Sequence, residues 1–322
     1  MIRLQFNYPI MYVLPLLTSI FLLSLAGCGS RAIVDEAGKP KSLGSVELVW
    51  GRRGNSDGRF QKPRAIAIDQ QDRLYIVDMT ARIQVFDRDG KFLRQWTTPT
   101  HENGRPVGLG VNQAGDILVA DTHYNRLLIY SPEGELKQQF GGTIGTGPGE
   151  FGFVTDSVQD RHGNYFVGEY FHSDRIQKFD ADGKFLLEWG RHGGEPGEFV
   201  RPQGLLLDDE DHVWVADACN HRIQVFDGSG KLLKIWGKQG TGLGELDYPY
   251  GIALDGQGHV YVAEFGNHRV QKFTLDGQSL GCFGHEGTKE GELNGPWGLV
   301  LDHSGALHIL DSYNHRVQRV RF

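Results

Sequence analysis

Six acidic residues recur along the chain at a nearly constant interval, and that interval most constrains what the chain can fold into. Asp78, Asp121, Glu169, Asp217, Glu264 and Asp311 follow one another at spacings of 43, 48, 48, 47 and 47 residues. Each acid closes a short apolar run. The best-defined unit, residues 202–236, reads PQGLLLDDEDHVWVADACNHRIQVFDGSGKLLKIW. Its four runs (LLLD, VWVAD, IQVF, LLKIW) are rich in Val, Ile, Leu, Trp and Phe. They stop at clusters of Asp, Gly, Asn and Ser, which is the pattern of short strands joined by tight turns. The runs are nearly continuous rather than alternating, so both faces of each small sheet are expected to be buried. One four-stranded sheet cannot bury both faces alone, whereas a closed ring of similar sheets can. A period of this length with four strands per unit predicts an all-β fold, a β-propeller, and six units predict six four-stranded antiparallel blades.

The inner strand of each blade is expected at residues 63–69, 106–112, 154–160, 202–208, 249–255 and 296–302, where PRAIAID, PVGLGVN, VTDSVQD, PQGLLLD, PYGIALD and PWGLVLD align. The last unit stops after its third strand, at Val317–Phe322. Residues 46–51, VELVWG, precede the first unit and match the fourth-strand pattern LLKIWG. The N-terminal strand is therefore expected to complete the last blade and close the ring, removing exposed sheet edges. The 45 glycines suit a fold with so many turns.

These repeats closely resemble the NHL repeat family across residues 45–322. The resemblance rests on the P-x-G-I/L start, the V-x-V-A-D/E strand and the N-H-R-I/V-Q element. Asn220-His221-Arg222, Asn267-His268-Arg269 and Asn314-His315-Arg316 reproduce that element in register.

Ahead of the propeller, Arg3 is the only charge before residue 31, and an apolar segment runs from Ile10 to Ala26. A positive start, an apolar middle and small residues at the end describe a secretory leader, here residues 1–27. Leu25-Ala26-Gly27-Cys28 also resembles the bacterial lipoprotein box, which implies cleavage before Cys28 and its acylation. An uncleaved anchor is the alternative, since the run is just long enough to span a bilayer. Either way the domain is expected outside the cytoplasm, lipid-anchored to a bacterial envelope. Gly29 after the Cys favours the outer membrane by resemblance to enteric-type sorting. Residues 28–44 then comprise the acylated Cys and a flexible tether.

What recurs in most blades is read as scaffold, and what one blade does alone as a candidate for function. Each of the six acids is followed by an arginine (Arg82, Arg126, Arg175, Arg222, Arg269, Arg316), so charge-assisted pairs are expected. A cation-binding ring of acids is the weaker alternative. His221, His268 and His315 recur and are read as structural. Gly-rich segments such as residues 141–151 lack the Gly-Lys-Ser/Thr ending of a phosphate loop and are read as blade-to-blade connections. The residues that do not recur are those following the inner-strand proline or its equivalent: Arg64, Val107, Thr155, Gln203, Tyr250 and Trp297. Tyr250, Trp297 and Arg64 fall on blades five, six and one. Two rings beside a guanidinium suit stacking on a sugar or aromatic group, with a hydrogen bond to a carboxylate or carbonyl. Blade three departs from the pattern, with Asp156 in place of a Gly and the longer loop Glu169-Tyr170-Phe171-His172. Arg64, Asp156, Glu169, His172, Gln203, Tyr250 and Trp297 are accordingly the candidate ligand-binding residues.

Related propellers suggest rival activities. Amidating lyases hold zinc through inner-strand histidines, and no histidine aligns here; His123 and His172 lie only in nearby loops. Tripartite-motif ubiquitin ligases carry zinc modules, whereas Cys219 and Cys282 are the only propeller cysteines. Sugar-lactone hydrolases hold calcium through inner-strand acids, of which only Asp156 can be placed. With a net charge of −7, no broad basic surface points to nucleic acid. The expected role is a monomeric binding or assembly module for an envelope protein, peptide or glycan, with no cofactor. The alternative is a metal-dependent lyase or hydrolase with its site in the central depression.

Overall fold

The computed structural model describes residues 43–322. The leader, Cys28 and nearly all of the tether lie outside the described residues. The rest forms six four-stranded antiparallel sheets arranged as a propeller. The first strands of blades one to six are Ala65–Ile68, Gly108–Val111, Phe153–Gln159, Pro202–Leu207, Pro249–Leu254 and Pro296–Leu301. They match the aligned inner segments.

Second and third strands are almost wholly buried, as continuous apolar runs require. Val213–Asp217 and Arg222–Phe226, for example, expose no residue appreciably. The fourth strands depart from that expectation. Phe92–Thr97 and Phe185–Trp189 alternate between half-buried and exposed positions, because blades fan apart with radius and leave one outer face in water. A tryptophan fills the wedge at four of these positions. Trp50, Trp96, Trp189 and Trp236 each pack on a glycine of the next blade's outer hairpin: Gly90, Gly134, Gly230 and Gly277. A Cβ at Gly90 would lie 2.4 Å from the Trp50 ring, and φ there is +79°. Glycine is therefore required on both counts.

Ring closure follows the sequence. Ser45–Trp50 pairs antiparallel with Arg316–Arg321 as the outermost strand of blade six, with Val46 opposite Val320 and Trp50 opposite Val317. Trp50 then packs against Phe60 and Phe86 of blade one, at ring-centroid distances of 5.8 and 4.7 Å. One short strand thus joins the two ends of the chain and seats the last blade on the first.

Candidate ligand site at the mouth of the central channel

The recurring polar residues form a lock at each blade, clearest in blade four. Asp217 is fully buried; its Oδ2 accepts from Arg222 Nε at 2.7 Å, Asn220 Nδ2 at 2.9 Å and Gln224 Nε2 at 3.1 Å. The Arg222 guanidinium also donates to the carbonyls of Gly194, Glu195 and Glu198 in the incoming Gly-rich loop, at 2.7 to 2.9 Å. His221 adopts the left-handed conformation, φ 54°, and its Nδ1 accepts from the Tyr248 backbone N–H at the entrance to blade five. His268 and His315 accept in the same way from Gly295 and Lys62, each at 2.9 Å. The N-H-R-x-Q element therefore has a part for each residue: Asn, Arg and Gln tie down the incoming loop, and His engages the next blade. All six acids pair with their arginines.

Glu169 belongs to this lock. It is fully buried, with Arg175 Nε at 2.6 Å, Gln177 Nε2 at 2.8 Å and the Gly152 N–H as its donors. It is not in the channel wall. Burial pushes its carboxyl upward, opposed chiefly by Arg175.

On the axis, the six first strands enclose a cavity of about 220 Å³. Arg64, Asp156, Gln203, Tyr250 and Trp297 all line it. Val107 does too, while Thr155 is fully buried behind the strand. His172 stands apart, exposed on the loop of blade three beside Phe171, whose ring stacks on Phe153 at 4.6 Å. Five of the seven candidate residues are thus brought together.

The two rings at the mouth are already faced by other groups. Tyr250, only 6% exposed, stacks on Phe265 at 4.9 Å and meets the edge of Trp297 at 4.8 Å. Arg64 lies over the Trp297 ring at 5.1 Å, and Arg201 over Tyr250 at 5.7 Å and Tyr170 at 5.0 Å. The rings thus present guanidiniums to the mouth rather than open aromatic faces. Among the described residues, the Arg64 side chain has no hydrogen-bond acceptor and no carboxylate partner. Burial lowers its pKa from the usual arginine value, and the nearby Arg201 charge adds to the effect.

Asp156 sits where the other blades have Ala65, Gly108, Gly204, Gly251 or Gly298. At Gly108, Gly204 and Gly251 a side chain would collide with the neighbouring inner strand; a Cβ on Gly204 would lie 2.2 Å from the Tyr250 carbonyl oxygen. At blade three the carboxylate instead bridges the gap, its Oδ2 accepting from Leu205 N–H of blade four at 3.0 Å and its Oδ1 from Ser157 N–H at 2.9 Å. Desolvation pushes its pKa up to about 7 against these two bonds.

The position after the proline does not single out Arg201 and Lys62, which stand just before Pro202 and Pro63. The residue before the proline also varies around the ring, and Lys62, Arg201 and Tyr248 hold φ between 47° and 60° there. Lys62 Nζ lies over Tyr313 at 5.2 Å. Arg105, also preceding a proline, donates to the Met79 and Gly104 carbonyls at 2.8 Å. Neither Arg64 nor any of these three cations has an ion-pair partner among the described residues.

The fold family raises a metal in the central depression. Among the described residues, no three His, Cys, Asp or Glu side chains come close enough to hold one. His123 and His172 do not form such a group, and Asp156 stands without a second acidic or imidazole ligand. The residues present do not fit a metal centre.

The sequence signature of the NHL repeat matches residues 199–226, 246–273 and 293–320, the cores of blades four, five and six. The human NHL repeat-containing protein 3 is 28% identical over 171 residues, covering 48% of this chain and 49% of the relative. Protein brain tumor of Drosophila melanogaster is 28% identical over 149 residues, 44% of this chain and 14% of the relative. Peptidyl-glycine alpha-amidating monooxygenase B of Xenopus laevis is 30% identical over 124 residues, 36% and 14%. The chain thus spans less than half the length of these relatives. In fold it is similar to a streptogramin B lyase (TM-score 0.58, 15% identity, 84% of this chain and 95% of that one). It is also similar to a Bacteroides thetaiotaomicron structural-genomics protein (TM-score 0.64, 16% identity, 88% and 78%). The sequence signature and the closed ring of six sheets agree: this chain is a six-bladed β-propeller whose fourth, fifth and sixth blades carry the NHL repeat.

Proposed function

We propose that the protein is an exported, membrane-anchored binding module that engages a component of the cell envelope through the mouth of its central channel. One observation carries the reading. The charged groups that recur in every blade are consumed in holding blades together, while residues that do not recur converge on the mouth with free hydrogen-bonding capacity. Binding sites commonly take this form, a concavity with a few polar groups held on a rigid scaffold. The leader and the Leu25-Ala26-Gly27-Cys28 sequence support delivery to the envelope and tethering through Cys28.

The test is a pull-down of envelope material with the full chain and with Arg64→Ala and Gln203→Ala, each shown to be folded by its melting curve. Loss of the same captured component from both variants is expected. Equal capture by all three proteins would place the binding surface elsewhere. Anchoring is tested separately: Cys28→Ala should abolish incorporation of labelled fatty acid and leave the precursor unprocessed. Label in the variant, or none in the wild type, would refute it.

A further inference from the structure

We infer that the mouth takes a small carboxylate-bearing molecule, whose carboxylate is gripped by Arg64 and Arg201. This deepens the binding reading above and rests on it.

The argument starts from charge. Arg64 lines the cavity over Trp297, and Arg201 lies over Tyr250, whose ring meets Trp297 at 4.8 Å, so the two guanidiniums sit on adjoining rings; the Arg201 charge lowers the Arg64 pKa. Like charges gathered in a partly buried place repel and lose hydration. In the blade locks such cations are matched; Arg175 and Arg269, for instance, pair with Glu169 and Glu264 at 2.6 Å. Among the described residues no carboxylate pairs with Arg64, whose charge is felt instead by Tyr313, Arg201, Tyr170, Tyr250 and His123. Arg201 makes one long side-chain hydrogen bond, 3.3 Å from its Nε to Gln203 Oε1. Aromatic platforms fix both planes, Trp297 beneath Arg64, and Tyr170 and Tyr250 beneath Arg201. Fixed planar forks with spare N–H donors suit a carboxylate, which accepts two parallel hydrogen bonds. The anion would supply the countercharge that the chain omits.

Size and overall charge narrow the class. The cavity of about 220 Å³ is somewhat larger than the roughly 150 Å³ that encloses a benzene ring, so it admits one small ring or short chain. The net charge of −7 disfavours a polyanion. Asp156, also in the cavity lining, would repel a second negative group once ionised and can accept from a hydroxyl or ammonium of the ligand. A hydroxylated acid such as a sugar acid, or a molecule with both carboxylate and ammonium groups, combines these features.

The test is calorimetric titration of the full chain with glucuronate, alanyl-alanine and inorganic phosphate, and with glucose as the uncharged control. Saturable binding of glucuronate or the dipeptide is expected, with the favoured one identifying the source of the carboxylate. Arg64→Ala and Arg201→Ala should each weaken it at least tenfold, and Arg64→Lys should weaken it less than Arg64→Ala. Raising salt from 50 to 500 mM should weaken it further in the wild type only. Should a variant fail to fold, chemical-shift changes of the wild-type Trp297 indole N–H on titration, assigned with Trp297→Phe, locate the anion. Binding of glucose but of no anion would overturn the carboxylate inference and leave the binding reading standing. Phosphate binding in preference to both carboxylates would overturn it too. If nothing binds and the pull-down is equally empty, both fall.

Discussion

Asp156 is the residue whose chemistry departs furthest from its surroundings. Its folded pKa of about 7 lies well above the usual 3.8. Between those two values the unfolded chain is ionised at this position while the folded protein keeps its proton, so raising the pH favours unfolding. The penalty is absent below the lower value and complete above the upper one. Asp156→Asn should therefore be more stable than wild type at pH 8, with the difference vanishing near pH 3.5. Melting curves of both proteins across that range check it, and a pH-independent difference would refute the titration. Histidines titrate in the same window with the opposite sign. Burial lowers His308, His123 and His315, which removes stability as pH falls. Subtracting the variant from the wild type cancels them. Asp217 gives a contrast. Asp217→Ala strands the nearly buried Arg222 with one carboxylate fewer and should cost about 3–5 kcal/mol. Ligand affinity per folded molecule should stay unchanged, whereas Arg64→Ala should reduce affinity and leave the melting temperature within a few degrees.

At the scale of the element, one strand of six residues carries the closure. Deleting residues 45–51 exposes the edge of blade six and removes Trp50 from the cluster of Phe60, Phe86 and Val317. Losing a fully buried aromatic costs about 3–5 kcal/mol; half-buried Trp50 falls at or below the low end of that range, still a sizeable part of a typical ~5–15 kcal/mol stability. Deleting residues 29–42 should leave the melting temperature nearly unchanged, and equal loss from both truncations would show that closure contributes nothing. This strand was legible in advance because the last unit was visibly short and its missing pattern stood at the other end. Blade identity and the acid–arginine locks were legible for a related reason: repetition exposes any residue with a fixed structural task. The mouth was only half legible. Position after the proline revealed Arg64, Tyr250 and Trp297. It could not show that the left-handed backbone at Arg201 swings a second guanidinium over Tyr250, nor that Phe265 covers that ring. Such contacts, within blade five or between it and blade four, are made by residues that do not recur and so leave no periodic trace. Glu169 looked distinctive only because its loop is longer; its carboxylate does what Asp217 does.

For the whole molecule, the six joints between blades are unequal. At five of them the incoming loop makes a parallel bridge: Arg53 with Phe60, Ile144 with Phe151, His192 with Phe199, Gln239 with Leu246 and Glu286 with Leu293. Those same joints carry a side chain across from the preceding blade: His315, His268 and His221 as above, Asn125 to the Gly152 carbonyl at 2.6 Å, and Asp174 to the Arg201 N–H at 2.8 Å. The joint from blade one to blade two has neither. Ala81 holds the left-handed position there, φ 61°, with no polar group to reach across. Its main substitute is Arg105, which bonds back to the Met79 carbonyl. Local openings begin where backbone hydrogen bonds are fewest and least buried, so the ring should open first at this joint. Hydrogen exchange should be fastest in residues 98–107 and slower in the corresponding loops 51–60, 141–151, 190–199, 237–246 and 284–293. Asn125→Ala removes the polar reach at the next joint and copies the Ala81 arrangement there. Exchange in residues 141–151 should then rise towards that of 98–107, while loops 237–246 and 284–293 stay protected. Uniform exchange across all six loops, or an Asn125→Ala effect spread evenly around the ring, would mean that the propeller opens as one cooperative unit and that no joint is weak.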